Sequence, residues 1–269
     1  MRVLDGVGFH AARGEWFGVI GPNGSGKTTL LKLLSGLERP DAGEIIVAGR
    51  PVGSYRRKEL ARRMAVLQQD ALPPVGFTVR EVVEMGRFPY QGWLGSRRED
   101  WRGKDADGER HVEAAMRAMG LAPLADRPVD RLSGGERQRV ALAKLMAQQP
   151  EVLLLDEPTT FLDIGYQIQL MDVIRGWQRE AGLTVVSVLH DLNLAAMYCD
   201  RLLLLHRGRV ECVGPPAEVL TPERIGAVYG ARAAVLPHPS TGVPQLLLES
   251  EVYGNHWRRR EANRGGTRL

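Results

Sequence analysis

The run Gly21-Pro22-Asn23-Gly24-Ser25-Gly26-Lys27-Thr28 matches GxxxxGK[ST] in full. Trp16-Phe17-Gly18-Val19-Ile20 before it reads as a short buried strand, and Thr29-Leu30-Leu31-Lys32-Leu33-Leu34 after it as a helix. Strand, glycine-rich loop and helix in that order form the setting in which the motif carries chemistry. Glycines let successive backbone N–H groups turn inward on phosphate oxygens, and the helix start adds partial positive charge. Lys27 can reach β- and γ-phosphates, and the Thr28 hydroxyl can ligate Mg²⁺. Gly21 to Thr29 is therefore the expected seat of a nucleoside triphosphate.

The rest of the chain needs a core large enough to hold such a loop, and 269 residues supply one. Hydrophobic residues make up 43% and charged residues 25%, which is ordinary for a globular chain. No apolar run approaches the roughly 18 residues of a membrane span, and the first residues do not read as a signal peptide. Cys199 and Cys212 fit neither a metal-ligand spacing nor a disulfide framework, and are expected to be reduced and structural. The net charge of +4 is modest. Its basic segments, Arg56-Arg57-Lys58, Arg97-Arg98 and Arg258-Arg259-Arg260, are scattered and not interleaved with aromatics. They predict solvated faces, and no nucleic-acid partner is expected.

Along the chain, Val3-Leu4 and Val7-Gly8-Phe9 read as a first strand pair, and Glu44 to Ala48 as a strand between Gly43 and Gly49. Ser54 is placed to cap a helix running to about Arg63, with Met64 to Leu67 a strand after it. Pro73-Pro74 and Gly76 then break the pattern. Thr78-Val79-Arg80-Glu81 makes a capping box, and Val112, Ala115, Met116 and Met119 form a helical stripe. The interval from about 71 to 135 predicts an inserted all-helical subdomain. Ser133 and Glu136 are spaced as a second capping box. Strands ending at Asp156 and at Leu189 alternate with helices, and a hairpin turns at Arg207-Gly208. Alternation of this kind argues for an α/β fold with a mainly parallel sheet and flanking helices. Residues 1–249 read as one domain and 250–269 as a polar, flexible tail.

A loop of this type needs a second acidic strand end to hold Mg²⁺. Asp156 closes the apolar run Val152-Leu153-Leu154-Leu155, and Glu157 follows it. Two carboxylates at the end of a buried strand cost too much to be packing alone. Adjacent strand residues point to opposite sides, so Asp156 is expected in the Mg²⁺ shell and Glu157 at the attacking water. His190 ends the next apolar strand, where ligands of parallel sheets sit.

Taken together, Gly21–Thr28, Gln69, Leu132-Ser133-Gly134-Gly135-Glu136-Arg137-Gln138, Asp156-Glu157-Pro158, Asp163 and His190 resemble an ABC-transporter nucleotide-binding subunit. The order and spacing match from about residue 3 to 248. The resemblance implies a P-loop NTPase core with an antiparallel β-subdomain, and ATP and Mg²⁺ as cofactors. It makes Gln69 a further Mg²⁺ contact, Asp163 the D-loop residue and His190 the γ-phosphate contact. It also implies that Leu132 to Glu136 meet ATP held by a second copy, so that two ATPs join a head-to-tail dimer whose hydrolysis drives transport.

Thr78-Val79-Arg80-Glu81, Gly86-Arg87-Phe88-Pro89-Tyr90, Glu157 to Ile164 and Val188 to Ala196 are similar to importers of ferric siderophores, haem and cobalamin. So is the ending Pro222 to Gly230 with Pro237-His238-Pro239 and Gly242-Val243-Pro244. That group implies membrane permease subunits as partners, an extracytoplasmic binding protein beyond them, and a peripheral place on the cytoplasmic face of the membrane. A soluble non-transport ATPase of the family, for iron–sulfur assembly or associated with nucleic acid or ribosomes, is the rival reading. One P-loop and no sustained heptad pattern disfavour its ribosomal form. Family members usually carry an adenine-stacking aromatic upstream of Val3-Leu4. The sequence as given begins after it: either its start is placed too late, or ATP binding weaker by about tenfold or more is expected. Gln68 stands where proline is common.

Overall fold

The computed structural model describes residues 2–67, 76–91, 107–160 and 162–250. Gln68, Gln69, the run Arg97-Arg98, Phe161 and the tail beyond 250 lie outside the described residues.

The elements in chain order are β1 (Trp16–Ile20), α1 (Lys27–Leu34), β2 (Ile46–Val47), β3 (Arg50–Pro51), α2 (Arg57–Arg63) and β4 (Met64–Leu67). There follow α3 (Val79–Glu84), α4 (Gly108–Ala118), α5 (Gly134–Gln148), β5 (Val152–Asp156), α6 (Ile164–Ala181) and β6 (Thr184–Val188). The chain continues with α7 (Leu192–Tyr198), β7 (Arg201–His206), β8 (Arg209–Gly214), α8 (Pro216–Val219), α9 (Pro222–Tyr229), β9 (Ala233–Pro237) and β10 (Pro244–Leu248). Two compact units divide it: residues 1–9, 17–27 and 189–269 form one, and residues 10–16 and 28–188 the other.

In the larger unit β4, β5 and β6 pair in parallel, with Leu67 opposite Leu155 and Asp156 opposite Val188. β6 is buried along its whole length, and Leu153, Leu154 and Leu155 of β5 are buried in a row. Strands covered on both faces read as continuous apolar runs, and these do. Inside β6, the Ser187 hydroxyl accepts a 2.8 Å bond from the Trp16 indole N–H. Helix α5 is apolar on most sides, burying Val140, Ala141, Leu142, Ala143, Leu145 and Ala147. Val79, Val82 and Val83 of α3 and Val112, Ala115 and Met116 of α4 are buried as well, the valines and the methionine each worth about 1.5–3 kcal/mol if fully removed from water. The described residues between 76 and 135 hold only helices, 3-10 turns and one isolated bridge, Thr78 with Pro128.

In the smaller unit β1 pairs in parallel with β7, and β7 antiparallel with β8. The hairpin turn at Arg207-Gly208 has both residues at positive φ, 49° and 76°, the turn whose twist matches that of its strands. Leu202 to Leu205 are fully buried. Gly18 leaves room for them: a Cβ there would stand 2.6 Å from Leu202 and 2.7 Å from the Cys199 sulfur. Neither Cys199 nor Cys212 forms a disulfide.

Three local expectations need correction. Val3-Leu4 and Val7 to Phe9 are not strands. Asp5 instead donates its N–H to the Gly208 carbonyl at 2.8 Å, and Phe9 stacks on Phe17 with ring centroids 5.0 Å apart. The strand expected over Glu44 to Ala48 shrinks to Ile46–Val47. Ser54 does not cap α2. Its hydroxyl donates to the Pro51 carbonyl within a 3-10 turn, and Arg56 takes the cap position with no side-chain bond.

Candidate functional site

The smaller unit carries the loop Gly21 to Lys27. Gly21, Gly24 and Gly26 take φ of 154°, 75° and 105°, a region closed to most side chains. Two of the three are also crowded. A Cβ on Gly21 would stand 2.1 Å from the Leu205 carbonyl oxygen, and one on Gly26 would stand 2.6 Å from the Leu4 side chain. Gly24 faces open space. The loop is gripped from behind: Gly208 donates its N–H to the Ser25 carbonyl at 3.1 Å, and Ser25 donates its own to Pro22 at 3.2 Å.

Lys27 is only 5% exposed, and its ammonium donates to the carbonyls of Gly21 at 2.8 Å and Pro22 at 3.0 Å. Ser25 is 3% exposed, and its hydroxyl meets no partner among the described residues. A buried hydroxyl of that kind is costly unless a ligand completes it. A glycine loop at positive φ, a positioned ammonium and an uncompleted hydroxyl fit the phosphates of a nucleotide. The loop has a neighbour that the sequence did not disclose. The Tyr229 hydroxyl lies by the Gly21 backbone, and burial pushes it well above the usual phenol range against the pull of that backbone group. His190 is exposed at the end of the segment after β6, and Asp191 caps α7 beside it.

The larger unit carries the remaining described residues of the expected site. Thr28 is exposed on the first turn of α1, followed by half-buried Thr29. Asp156 ends β5. Glu157 leaves the strand with φ of 50°, so it is not simply the next residue on the opposite face. Its N–H donates to the Val188 carbonyl at 3.1 Å, and its carboxylate accepts from the Thr160 hydroxyl at 3.5 Å. A non-glycine residue held in this region marks stored strain, which clusters at sites of chemistry. Thr160, three residues on, is a contact that the reading of the sequence passed over. So is Gln167, which donates to the Thr159 and Leu162 carbonyls, while Gln138 on α5, named with the Leu132 run, donates to the Pro158 carbonyl at 3.1 Å. Asp163 caps α6 by accepting from the Tyr166 N–H at 3.0 Å.

The expected capping box at Ser133 forms. The Ser133 hydroxyl accepts from the Glu136 N–H at 3.3 Å, and the Glu136 carboxylate accepts from the Ser133 N–H at 2.8 Å. Leu132 is buried under it, while Ser133 and Gly134 are exposed. A Cβ on Gly135 would stand 3.1 Å from the Tyr166 ring. The start of α5 is thus an ordered, outward-facing helix end. The Ser133 backbone N–H, and then its hydroxyl, hold the Glu136 carboxyl below the ordinary 4.5. Because that value is depressed, the carboxylate's share of the cap is present above pH 4.5 and is lost as pH falls through the lowered value. Ser133→Ala is expected to destabilise the chain by about 0.5–2 kcal/mol near neutral pH. Denaturant unfolding at two pH values reads this, and the gap to the wild type should narrow in acid.

Mg²⁺ takes hard oxygen donors and is usually held by one or two protein groups with substrate phosphates. The Thr28 hydroxyl and the Asp156 carboxylate are donors of that chemistry. Among the described residues no cluster of three or more His, Cys, Asp or Glu makes a metal cage, and a nucleotide-borne ion asks for none.

A family model described as ABC transporter matches residues 4–160. A cobalamin import ATP-binding protein, BtuD of Halobacterium salinarum (strain ATCC 29341 / DSM 671 / R1), is 46% identical over 90% of this chain and 58% of its own length. The ferric enterobactin transport ATP-binding protein FepC of Escherichia coli K12 is 44% identical over 87% of this chain and 84% of its own. The chain spans 55–58% of the length of the first curated relatives that it matches. Among solved structures, an inward-facing putative metal-chelate type ABC transporter aligns with TM-score 0.75 at 25% identity, over 91% of this chain and 90% of that one. The expected α/β fold, a mixed, mainly parallel sheet with flanking helices in a P-loop NTPase cassette, is borne out.

Proposed function

The chain belongs to the ABC transporter family, and on that footing we propose that it is the ATP-binding and ATP-hydrolysing subunit of an importer of ferric siderophores, with haem and cobalamin the next cargoes in order. The observation that carries the reading is two helix starts on one chain whose chemistry suits an anion. One is the glycine cradle leading into α1, and the other is the exposed, doubly capped start of α5. A loop that grips phosphate needs no second such end for itself. An outward one suits ATP held by another copy, so the working unit is a pair of these chains joined head to tail.

The roles follow from the chemistry of each group. Backbone amides of Gly21 to Thr29 hold the phosphate chain, and the Lys27 ammonium exchanges its carbonyl partners for phosphate oxygens. Thr28, Asp156 and Gln69 would hold Mg²⁺, which when bound offsets charge on the β- and γ-phosphates. Glu157 polarises the attacking water, with its carboxylate steadied by Thr160. His190 contacts the γ-phosphate from the end of its strand. Leu132 to Glu136 and Asp163 serve the neighbouring copy's nucleotide. No helix among the described residues is long and apolar enough to cross a membrane. Permease subunits would supply the path, with the described helical residues between 76 and 135 as the docking side and an extracytoplasmic binding protein delivering cargo. The stretches similar to importers of ferric siderophores, haem and cobalamin, with 44% identity to FepC and 46% to BtuD, support a cargo of that group.

Co-purification from membranes, followed by uptake of labelled ferric siderophore, haem and cobalamin, tests the reading. Lys27→Ala is expected to co-purify with the same permease and to abolish uptake of one of the three. A chain that brings down no membrane protein, and whose loss leaves all three uptakes intact, would sink it.

A further inference from the structure

His190 is followed by Asp191, whose carboxylate accepts from the backbone N–H groups of Asn193 at 2.8 Å and Leu194 at 3.0 Å. The main chain of Asn193 is thereby tied to the residue beside His190. Its side chain is tied to a distant part of the chain. The carboxamide donates from Nδ2 to the Leu246 carbonyl at 3.3 Å, and its Oδ1 accepts from the Leu246 N–H at 2.7 Å. One side chain thus satisfies both backbone groups of a residue in the middle of β10, in the manner of a neighbouring strand.

Leu246 is a firm anchor. It faces Val235 across the β9–β10 ladder and is 7% exposed, while Leu194, Ala195 and Ala196 of α7 are buried. The hairpin therefore holds the first turn of α7 by two directed bonds as well as by packing. The segment leading into that hairpin reaches the phosphate loop too, through Tyr229 of α9 at the Gly21 backbone.

We propose that Asn193 is a positioning residue for His190, its carboxamide clamp on Leu246 fixing the first turn of α7 and with it the angle at which His190 is presented. The clamp rests on the reading of His190 as the γ-phosphate contact. Asn193 touches no reacting atom, and its effect runs through the main chain of residues 190–193. Misplacing a reacting or stabilising group by about 1 Å can cost up to 10²-fold in rate. A side chain that merely holds the hairpin would affect stability and leave turnover per folded molecule alone.

The test compares the full chain with His190→Ala, Asn193→Ala, the double variant and Asn193→Asp, which keeps the acceptor for the Leu246 N–H. Steady-state ATP hydrolysis, affinity for a fluorescent ATP analogue and the unfolding midpoint are read for each. Asn193→Ala is expected to lower kcat about tenfold, with KM and analogue affinity within about twofold. Asn193→Asp should fall between the two, and it carries the comparison if the alanine chain does not fold. The double variant should turn over no more slowly than His190→Ala, because the two changes act on one group. Unchanged kcat in Asn193→Ala, or a double variant slower than His190→Ala by the full Asn193 factor, overturns the proposal while His190 keeps its role. A His190→Ala chain as fast as the wild type overturns the reading of His190, and the clamp's catalytic role with it.

Discussion

Glu157→Gln is expected to cut ATP turnover by about 10²–10⁴ while leaving ATP binding intact. The amide keeps the size of the carboxylate but cannot polarise a water by drawing on its proton. The fold should tolerate the change. Glutamine can occupy the same backbone conformation at φ of 50°, where the bond from the residue 157 N–H to Val188 does not involve the side chain. The loss should therefore fall on kcat, with little change in KM, as for an interaction made in the transition state. If the nucleotide joins two copies, blocking its cleavage should also make the pair last. Size exclusion with ATP and Mg²⁺ should show a dimer for Glu157→Gln where the wild type exchanges. A Glu157→Gln chain that stays monomeric would count against the head-to-tail arrangement, and one that still turns over ATP would remove Glu157 from the chemistry.

Gly21→Ala is the second large effect. The added carbon would stand 2.1 Å from the Leu205 carbonyl oxygen and 2.9 Å from the Ser25 hydroxyl, at φ of 154°. Leu205 cannot give way, since it is fully buried in β7 and paired with Val210 of β8. The phosphate loop must move instead, turning its amides off their targets. A stability loss of about 1–3 kcal/mol or more is expected from the forced contact, with ATP binding lost. Gly24→Ala is the control. Its φ of 75° is also unfavourable, but nothing lies within 4 Å of the added carbon, so it should cost only about 1–2 kcal/mol. Unfolding midpoints and fluorescent ATP-analogue titrations of both chains decide. Equal losses would mean that backbone strain alone, and not the close approach to Leu205, governs the loop.

Features written in short stretches of sequence were legible. The strand–loop–helix around Lys27, the capping boxes at Thr78 and Ser133, the ends of β5 and β6 and the turn at Arg207-Gly208 are all local. Each follows from one continuous stretch of fewer than twenty residues. What escaped depends on bonds that span the chain. Val3-Leu4 looked like a strand because it is apolar and short, yet its neighbourhood is set by Gly26 and Gly208, which give it packing and a turn to lean on but no ladder. Ser54 looked like a cap until Pro51 offered its hydroxyl a nearer acceptor. Alternation along β5 placed Asp156 and Glu157 on opposite faces. The left-handed turn at Glu157 breaks that period, with its N–H bonded to Val188 and its carbonyl accepting from the Thr160 N–H at 3.2 Å. Tyr229 at Gly21 and Asn193 at Leu246 carry no periodic signal at all.

The grip on the phosphate loop has a bearing on how the protein comes into being. The motif Gly21 to Thr28 leaves the ribosome early, but the turn that bonds Ser25 and the strand that backs Gly21 belong to residues 201–208. A nascent chain therefore displays the whole motif long before it has a loop of the right shape, and an excised peptide of residues 16–34 should bind no phosphate. Contacts this far apart in sequence form late and slowly. The newborn chain is therefore expected to engage nucleotide only after residues 201–208, on which the loop's shape depends, have been made.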